Sequence, residues 1–404
     1  MVGTELILDI EAVANGGSCV ARSDNRVIFV RHTLPGERVR AIVTGGTATS
    51  RFLRADAVEV FEASPQRRTS ACPWSGPGRC GGCDWQHTDA AYGRELKTAV
   101  VAEQLRRLAG IEWHGEVQPV PGDDDGLRWR TRVELATAPN GRAGFRRHRS
   151  HEIVAVQDCV ISVPQVGETG IFTEVFEPGV SGVDVAVASD GSATAVLLPD
   201  DSKVPGVVEH VSSGGVGLDF EVSARGFWQV HPGAASTFVT RVLQGLDPQP
   251  GERALDLYCG VGLFTRFLAV AVGAQGTVLG IEGDQRAVAD AQPLLRATPQ
   301  ARVERRDVRR SAHLVTKHLG DDVDLVVLDP PRTGAGREVM EQIAALKPRR
   351  IAYVACDPSA LARDLAYAAD LEYEVTSIRA YDAFPMTHHV ECIAILAPTG
   401  SEVA

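Results

Sequence analysis

Apolar residues follow two regimes along the chain. From residue 4 to 62 they come in short runs broken by Gly and Pro. Arg26-Val-Ile-Phe-Val-Arg31 reads as a strand, Leu34-Pro-Gly-Glu37 as a turn and Val39-Arg-Ala-Ile-Val43 as the next strand. Several short strands with turn punctuation predict a small closed or nearly closed barrel. Residues 65–90 are rich in Pro, Gly and Cys and lack periodicity. Leu96, Val100, Val101, Leu105 and Leu108 then recur at helical spacing, which predicts a helix over 92–108. Strand-like patterning returns between Trp129 and Val230, in Arg130-Thr-Arg-Val-Glu-Leu135 and Val183-Asp-Val-Ala-Val187. From residue 233 short apolar strands (254–257, 277–281, 325–328 and 351–354) alternate with helices. That alternation predicts an α/β domain, a mostly parallel sheet with helices on both faces. The expected division is 1–62, a small β-barrel; 63–232, a β-rich central part; and 233–404, a Rossmann-like domain.

Bulk properties narrow the chemistry. No run of 18 or more apolar residues occurs in the sequence, so no membrane span is expected. Met1 to Glu11 carries acidic residues within its apolar run and no basic leader, which points to the cytoplasm. In that compartment the eight cysteines read as metal ligands or catalysts before disulfides. The net charge of -11 opposes a nucleic-acid partner at first sight, but residues 1–160 hold 21 Lys+Arg against 20 Asp+Glu. The basic run Arg142, Arg146, Arg147, His148 and Arg149 lies in this part, either as a solvated hairpin or as a face toward phosphate.

Ala254-Leu-Asp-Leu-Tyr-Cys-Gly-Val-Gly262 is a strand entering a Gly-rich turn, where Gly260 and Gly262 let backbone approach a ligand. Glu282 ends the next strand, placed to accept the hydroxyls of a ribose. The third glycine of a dinucleotide fingerprint is absent at Thr265, so an adenosine carrying an amino acid fits better than a nicotinamide dinucleotide. Asp307 is expected after the third strand, facing the adenine, or as an ordinary loop carboxylate. Asp329 heads Asp329-Pro-Pro-Arg332 at a strand end. Cys356 follows a strand and precedes Asp357-Pro358, where a helix N-terminus would favour its thiolate. Glu391 follows the polar loop Asp382-Ala-Phe-Pro-Met-Thr-His-His-Val.

These motifs, with Tyr353-Val-Ala-Cys356 and Phe384-Pro-Met-Thr-His388, resemble in order and content the RNA uracil-5-methyltransferases acting on 23S ribosomal RNA and tRNA. The resemblance implies S-adenosylmethionine as methyl donor, Cys356 as nucleophile and Glu391 as base. Phe227-Trp-Gln229-Val resembles a cofactor-touching motif of the family, so Gln229 is carried over with Tyr258, Glu282 and Asp329. One departure is Leu263, where some members carry Asn. Another is Asp357 in place of the family's Asn, expected to raise the cysteine pKa slightly.

Cys72, Cys80, Cys83 and Cys159 could enclose either an iron–sulfur cluster or zinc. Resemblance to ribosomal members tips this set toward 4Fe-4S. Residues 1–62 resemble the RNA-binding TRAM barrel. Cluster and barrel favour 23S rRNA over tRNA as substrate. A non-catalytic RNA-binding assembly factor is the rival of another class, and a monomer is expected.

Overall fold

The computed structural model describes residues 1–199 and 204–401. Strands Glu5–Val13, Cys19–Ser23, Arg26–Arg31, Arg38–Gly45 and Phe52–Glu62 close into the expected barrel. Closure is made by parallel pairing of Arg26–Arg31 with Phe52–Glu62. Alternation puts Val39, Ala41 and Val43 inside and their neighbours outside, the period-2 arrangement of a one-sided strand.

The predicted helix runs Ala90–Ala109. Asp89 caps its start by accepting from the Tyr92 N–H, and Gly110 in the left-handed region ends it. A five-stranded sheet follows, then the hairpin Gly206–Ser213 and Val216–Ser223. The run read as a strand from Arg130 begins at Arg132 instead, because Arg130 forms an isolated bridge with Ser162. Val211, Phe220 and Val222 of the hairpin share one core with Phe238 and Phe267, so it packs onto the C-terminal sheet's helices.

That sheet has eight strands in the order Ala301–Arg305, Thr277–Glu282, Arg253–Leu257, Leu325–Leu328, Arg350–Ala355, Glu391–Pro398, Tyr373–Asp382 and Val117–Pro119. The first five are parallel, and Glu391–Pro398 is antiparallel to both its neighbours. Residues alternate between two cores. Ala254, Leu325 and Val327 face helices Ala234–Leu246 and Leu263–Val272. Leu255, Leu257, Val326 and Leu328 face helices Arg337–Ala345 and Pro358–Asp370. Two features escape the sequence pattern. The last strand inserts inside the sheet rather than at its edge, and the three residues Val117–Pro119 supply an edge strand parallel to Tyr373–Asp382. A three-residue strand carries no periodicity to read.

Helix Ala90–Ala109 also buries a charge. Lys97, 1% exposed, lies on the buried stripe with Val100 and Val101. Its ammonium bonds the Asp382 carboxylate and the Phe384 carbonyl, the latter at 3.0 Å. Burial pulls the Lys97 pKa down while Asp382 pulls it back up. Breaking such a pair leaves one buried charge without compensation. Lys97→Met should cost about 3–5 kcal/mol, and Lys97→Met with Asp382→Leu should recover most of that loss. Denaturant melts of both variants check this.

Candidate active site

In an open parallel sheet, strand C-terminal ends point into the ligand crevice beside the point where strand order reverses. Here Arg253–Leu257 is central, flanked by Thr277–Glu282 and Leu325–Leu328. Register aligns Leu257 with both Ile281 and Leu328, so Tyr258, Glu282 and Asp329 emerge side by side. Tyr258 takes the left-handed conformation at φ 62°, as do Gly260 at 55° and Gly262 at 86°. The turn therefore curls back under the crevice. The Glu282 carboxylate accepts from the Gly260 N–H at 2.9 Å and the Asp284 N–H at 2.7 Å, which holds it at the mouth. Beneath the turn the buried Asp256 accepts from the Thr265 hydroxyl at 2.6 Å. Burial pushes its carboxyl up to about 7.

Asp307 follows the third strand as expected, exposed, with its side chain accepting from the Arg309 N–H at 2.9 Å. Its charge acts on Tyr258 across the crevice. Gln229 is buried, beside Trp228 and close to the start of helix Ala234–Leu246. It lines a cavity of about 170 Å³ that reaches Thr131, Glu209 and Pro232. Leu263, also buried, is the first residue of helix Leu263–Val272.

The pairing of Arg350–Ala355 with Glu391–Pro398 sets Ala355 opposite Cys392. One step further along that register, Cys356 stands opposite Glu391, and directly opposed side chains share a face of the sheet. Glu391 is buried at 4% exposure, and Cys356 is half-buried. Asp329 and Glu391 act on each other, and Arg332 is the positive group beside them. Burial, then Asp329, raises the Glu391 carboxyl well above its usual range, while Arg332 opposes the rise. Burial also pushes Asp329 up to about 7.

The thiol departs from expectation. A helix N-terminus alone would favour the thiolate, but burial, then Glu391 and Asp329, push Cys356 up to about 12. Desolvation and two carboxylates outweigh the helix and Arg332. Asp357 caps helix Pro358–Asp370 by accepting from the Ser359 and Ala360 N–H groups at 3.0 and 2.8 Å. Its charge raises Cys392, whereas the charges that raise Cys356 are those of Glu391 and Asp329.

The four remaining candidate cysteines are gathered by the fold. Cys83 feels the charges of Cys159, Cys80 and Cys72, and Cys72 and Cys80 each feel Cys159. Backbone groups of Trp74 and Ser75 hydrogen-bond Cys72, that of Gly82 bonds Cys80, and those of Ile161 and Ser162 bond Cys159. The Gln86 amide donates to Cys83 at 3.6 Å. Burial raises all four thiols above their ordinary value, and these donors oppose the rise. Among the described residues no group of three or more His, Cys, Asp or Glu side chains is arranged to hold a metal. Trp85 and Trp129 are buried and Trp74 packs against a core, so the tryptophans serve packing here.

Sequence reasoning passed over three groups: Arg332 as counter-charge, Lys97, and Asp84, which meets His388 at 2.6 Å. A lysine within an apolar helical stripe was a readable signal for Lys97. Nothing local marks Asp84.

A Gly-rich turn after the first strand, a carboxylate ending the second and an antiparallel strand within the sheet define an S-adenosylmethionine-dependent methyltransferase. Residues 207–398 match the tRNA (Uracil-5-)-methyltransferase family model and residues 1–58 match the TRAM domain. An uncharacterised RNA methyltransferase of Streptomyces avermitilis is 47% identical, covering 98% of this chain and 99% of its own. The 23S rRNA (uracil(1939)-C(5))-methyltransferase of Pseudomonas fluorescens is 32% identical over 98% of this chain and 94% of its own. The tRNA (uracil-54, C5)-methyltransferase of Pyrococcus abyssi, solved with S-adenosyl-L-homocysteine, shares the fold at a TM-score of 0.70 and 22% identity, covering 97% of this chain and all of that one. The chain belongs to the RNA (uracil-5-)-methyltransferase family.

Removing the negative neighbour lowers the cost of ionising the thiol. Glu391→Gln should therefore bring the Cys356 pKa down from about 12 and speed its alkylation by iodoacetamide at pH values high enough to ionise Glu391 in the wild type. Mass spectrometry of the labelled peptide measures it, and an unchanged rate would show that the carboxylate does not act on the sulfur.

Proposed function

We propose that the enzyme methylates carbon 5 of one uridine in 23S ribosomal RNA through a covalent adduct on Cys356. The observation that carries this reading is the strand register that sets Cys356 opposite Glu391, with Asp329 alongside. The full-length likeness to a 23S rRNA enzyme supports the substrate class.

Carbon 5 of uracil is a weak nucleophile. Cys356 gives up its proton to water and its sulfur bonds carbon 6, which turns the ring into an enolate with electron density at carbon 5. Gln229, Tyr258, Glu282, Asp307 and Asp329 would hold S-adenosylmethionine, which would supply the methyl group. Carbon 5 attacks that methyl carbon, the bond to the sulfonium sulfur breaks, and the neutral thioether leaves. The Glu391 carboxylate then takes the hydrogen from carbon 5, and the freed electron pair expels the Cys356 sulfur. Both carboxylates bear raised pKa values, and the sulfonium's positive charge favours their ionised forms. The target base must leave its stack to reach the crevice.

In this reading the barrel 1–62 and the central part 63–232 hold RNA, and 233–404 carries the chemistry. Cys72, Cys80, Cys83 and Cys159 hold a 4Fe-4S cluster rather than zinc, as the resemblance to ribosomal members favours. Among the described residues no helix is long and apolar enough to cross a membrane.

Cys356→Ala should abolish methylation, while Glu391→Gln should form the methylated adduct and fail to release it. Gel shifts under denaturing conditions with uridine-containing fragments of ribosomal and transfer RNA check both substrate and mechanism. A Cys356→Ala protein with normal turnover would end the reading. Anaerobically purified protein should be brown, with about four irons per chain. Colourless protein containing one zinc would overturn the cluster assignment.

A further inference from the structure

The loop that leads into Glu391 is fastened by groups from outside the sheet that carries it. At its start Lys97 holds the Asp382 side chain and the Phe384 carbonyl. At its middle the N–H groups of Asp84 and Trp85 both donate to the Met386 carbonyl, at 3.0 and 3.1 Å. At its end the Asp84 carboxylate accepts from the His388 N–H at 3.1 Å and meets the His388 ring Nδ1 at 2.6 Å. Met386 sits at φ 63°, a left-handed conformation that a side chain adopts only when its surroundings impose it.

Packing repeats the pattern. Met386 and Phe384 share one apolar cluster with Trp129, Ile161, Cys83 and Cys159. The cysteine site and the catalytic loop are thus two sides of the same small core. The barrel closes the junction. A Cβ on Gly17 would lie 2.8 Å from the Asp84 Cγ and 3.0 Å from the His388 Cβ, so only glycine fits there. Arg31 of the barrel approaches Asp84 at 3.8 Å. Asp84 adjoins Cys83 in the chain and touches both the barrel and the catalytic loop.

We infer that Asp84 is a positioning residue for the last chemical step. It holds the His388 end of the loop and thereby sets Glu391 for removal of the carbon-5 hydrogen, tying the cysteine site to product release. The inference rests on the covalent reading above. Adduct formation needs Cys356 and the methyl donor, neither of which lies on this loop. Adduct breakdown needs Glu391, three residues beyond His388. Loss of the Asp84 contact therefore slows breakdown and leaves formation alone. A displacement of about 1 Å at a reacting group costs on the order of 100-fold in rate.

The test uses the full-length protein purified anaerobically and single-turnover reactions on uridine RNA with a labelled methyl donor. Asp84→Ala should form the methylated Cys356–RNA adduct at the wild-type rate and release it roughly 10–100-fold more slowly, so the adduct accumulates. Asp84→Asn keeps an oxygen that accepts from the His388 N–H and should restore most of the release rate. Visible absorption and iron content should stay at wild-type values. If Asp84→Ala fails to fold, His388→Leu, which removes the ring contact and keeps the residue-388 N–H to Asp84, should slow release by a smaller factor and leave formation unchanged. Release at the wild-type rate in these variants, or formation and release slowed together, overturns the proposal. A wild-type enzyme that forms no adduct with 5-fluorouridine RNA overturns instead the covalent reading on which it stands.

Discussion

The candidate site depends on one antiparallel pairing, between Arg350–Ala355 and Glu391–Pro398. All other neighbours among the first five strands of this sheet are parallel, and a parallel neighbour ending at the crevice would present its own C-terminal end there. By running the other way, the final strand brings its first residue, Glu391, to the same level as the residue that follows its partner, Cys356. A slip of one residue would turn the carboxylate to the opposite face of the sheet. The flanking contacts resist such a slip. Val354 and Ile393 face one core, while Ala355 and Cys392 face the other, so a changed register would expose apolar surface on both sides.

That pairing also explains the charge state of the site. A thiol with two carboxylates nearby and limited water ionises with difficulty, and each carboxyl in turn resists ionisation. Burial and mutual repulsion raise all three groups, with Arg332 as the cation that opposes the rise.

The three parts of the chain meet around the loop before Glu391. Helix Ala90–Ala109 enters with a buried lysine, the cysteine-rich segment with Asp84, and the barrel with Gly17 and Arg31. A barrel that only recruited RNA would not need contact with the catalytic loop. Its contact there, and that of Asn15 with Ser359 at the start of the helix after Cys356, bring the RNA-binding part to the edge of the chemistry.

Much of this was written into the sequence, and the reason is that it is local. Strand and helix periods, the Gly-rich turn, the carboxylate at the next strand end and the Cys356 and Glu391 motifs are properties of short windows, and they gave the barrel, the α/β domain and the candidate pair. The sequence proposed Cys72, Cys80, Cys83 and Cys159 as a set, and the structure adds the backbone groups that hydrogen-bond Cys72, Cys80 and Cys159. The sequence alone predicted a thiol favoured by a helix N-terminus. Tertiary structure decided otherwise, because burial and the charges of Asp329 and Glu391 arrive from separate strands. The edge strand Val117–Pro119, the Lys97–Asp382 pair and the Asp84–His388 contact were likewise invisible, since each joins segments far apart in the chain. Local sequence sets what a segment prefers to be, and only packing sets which charges and donors it will face.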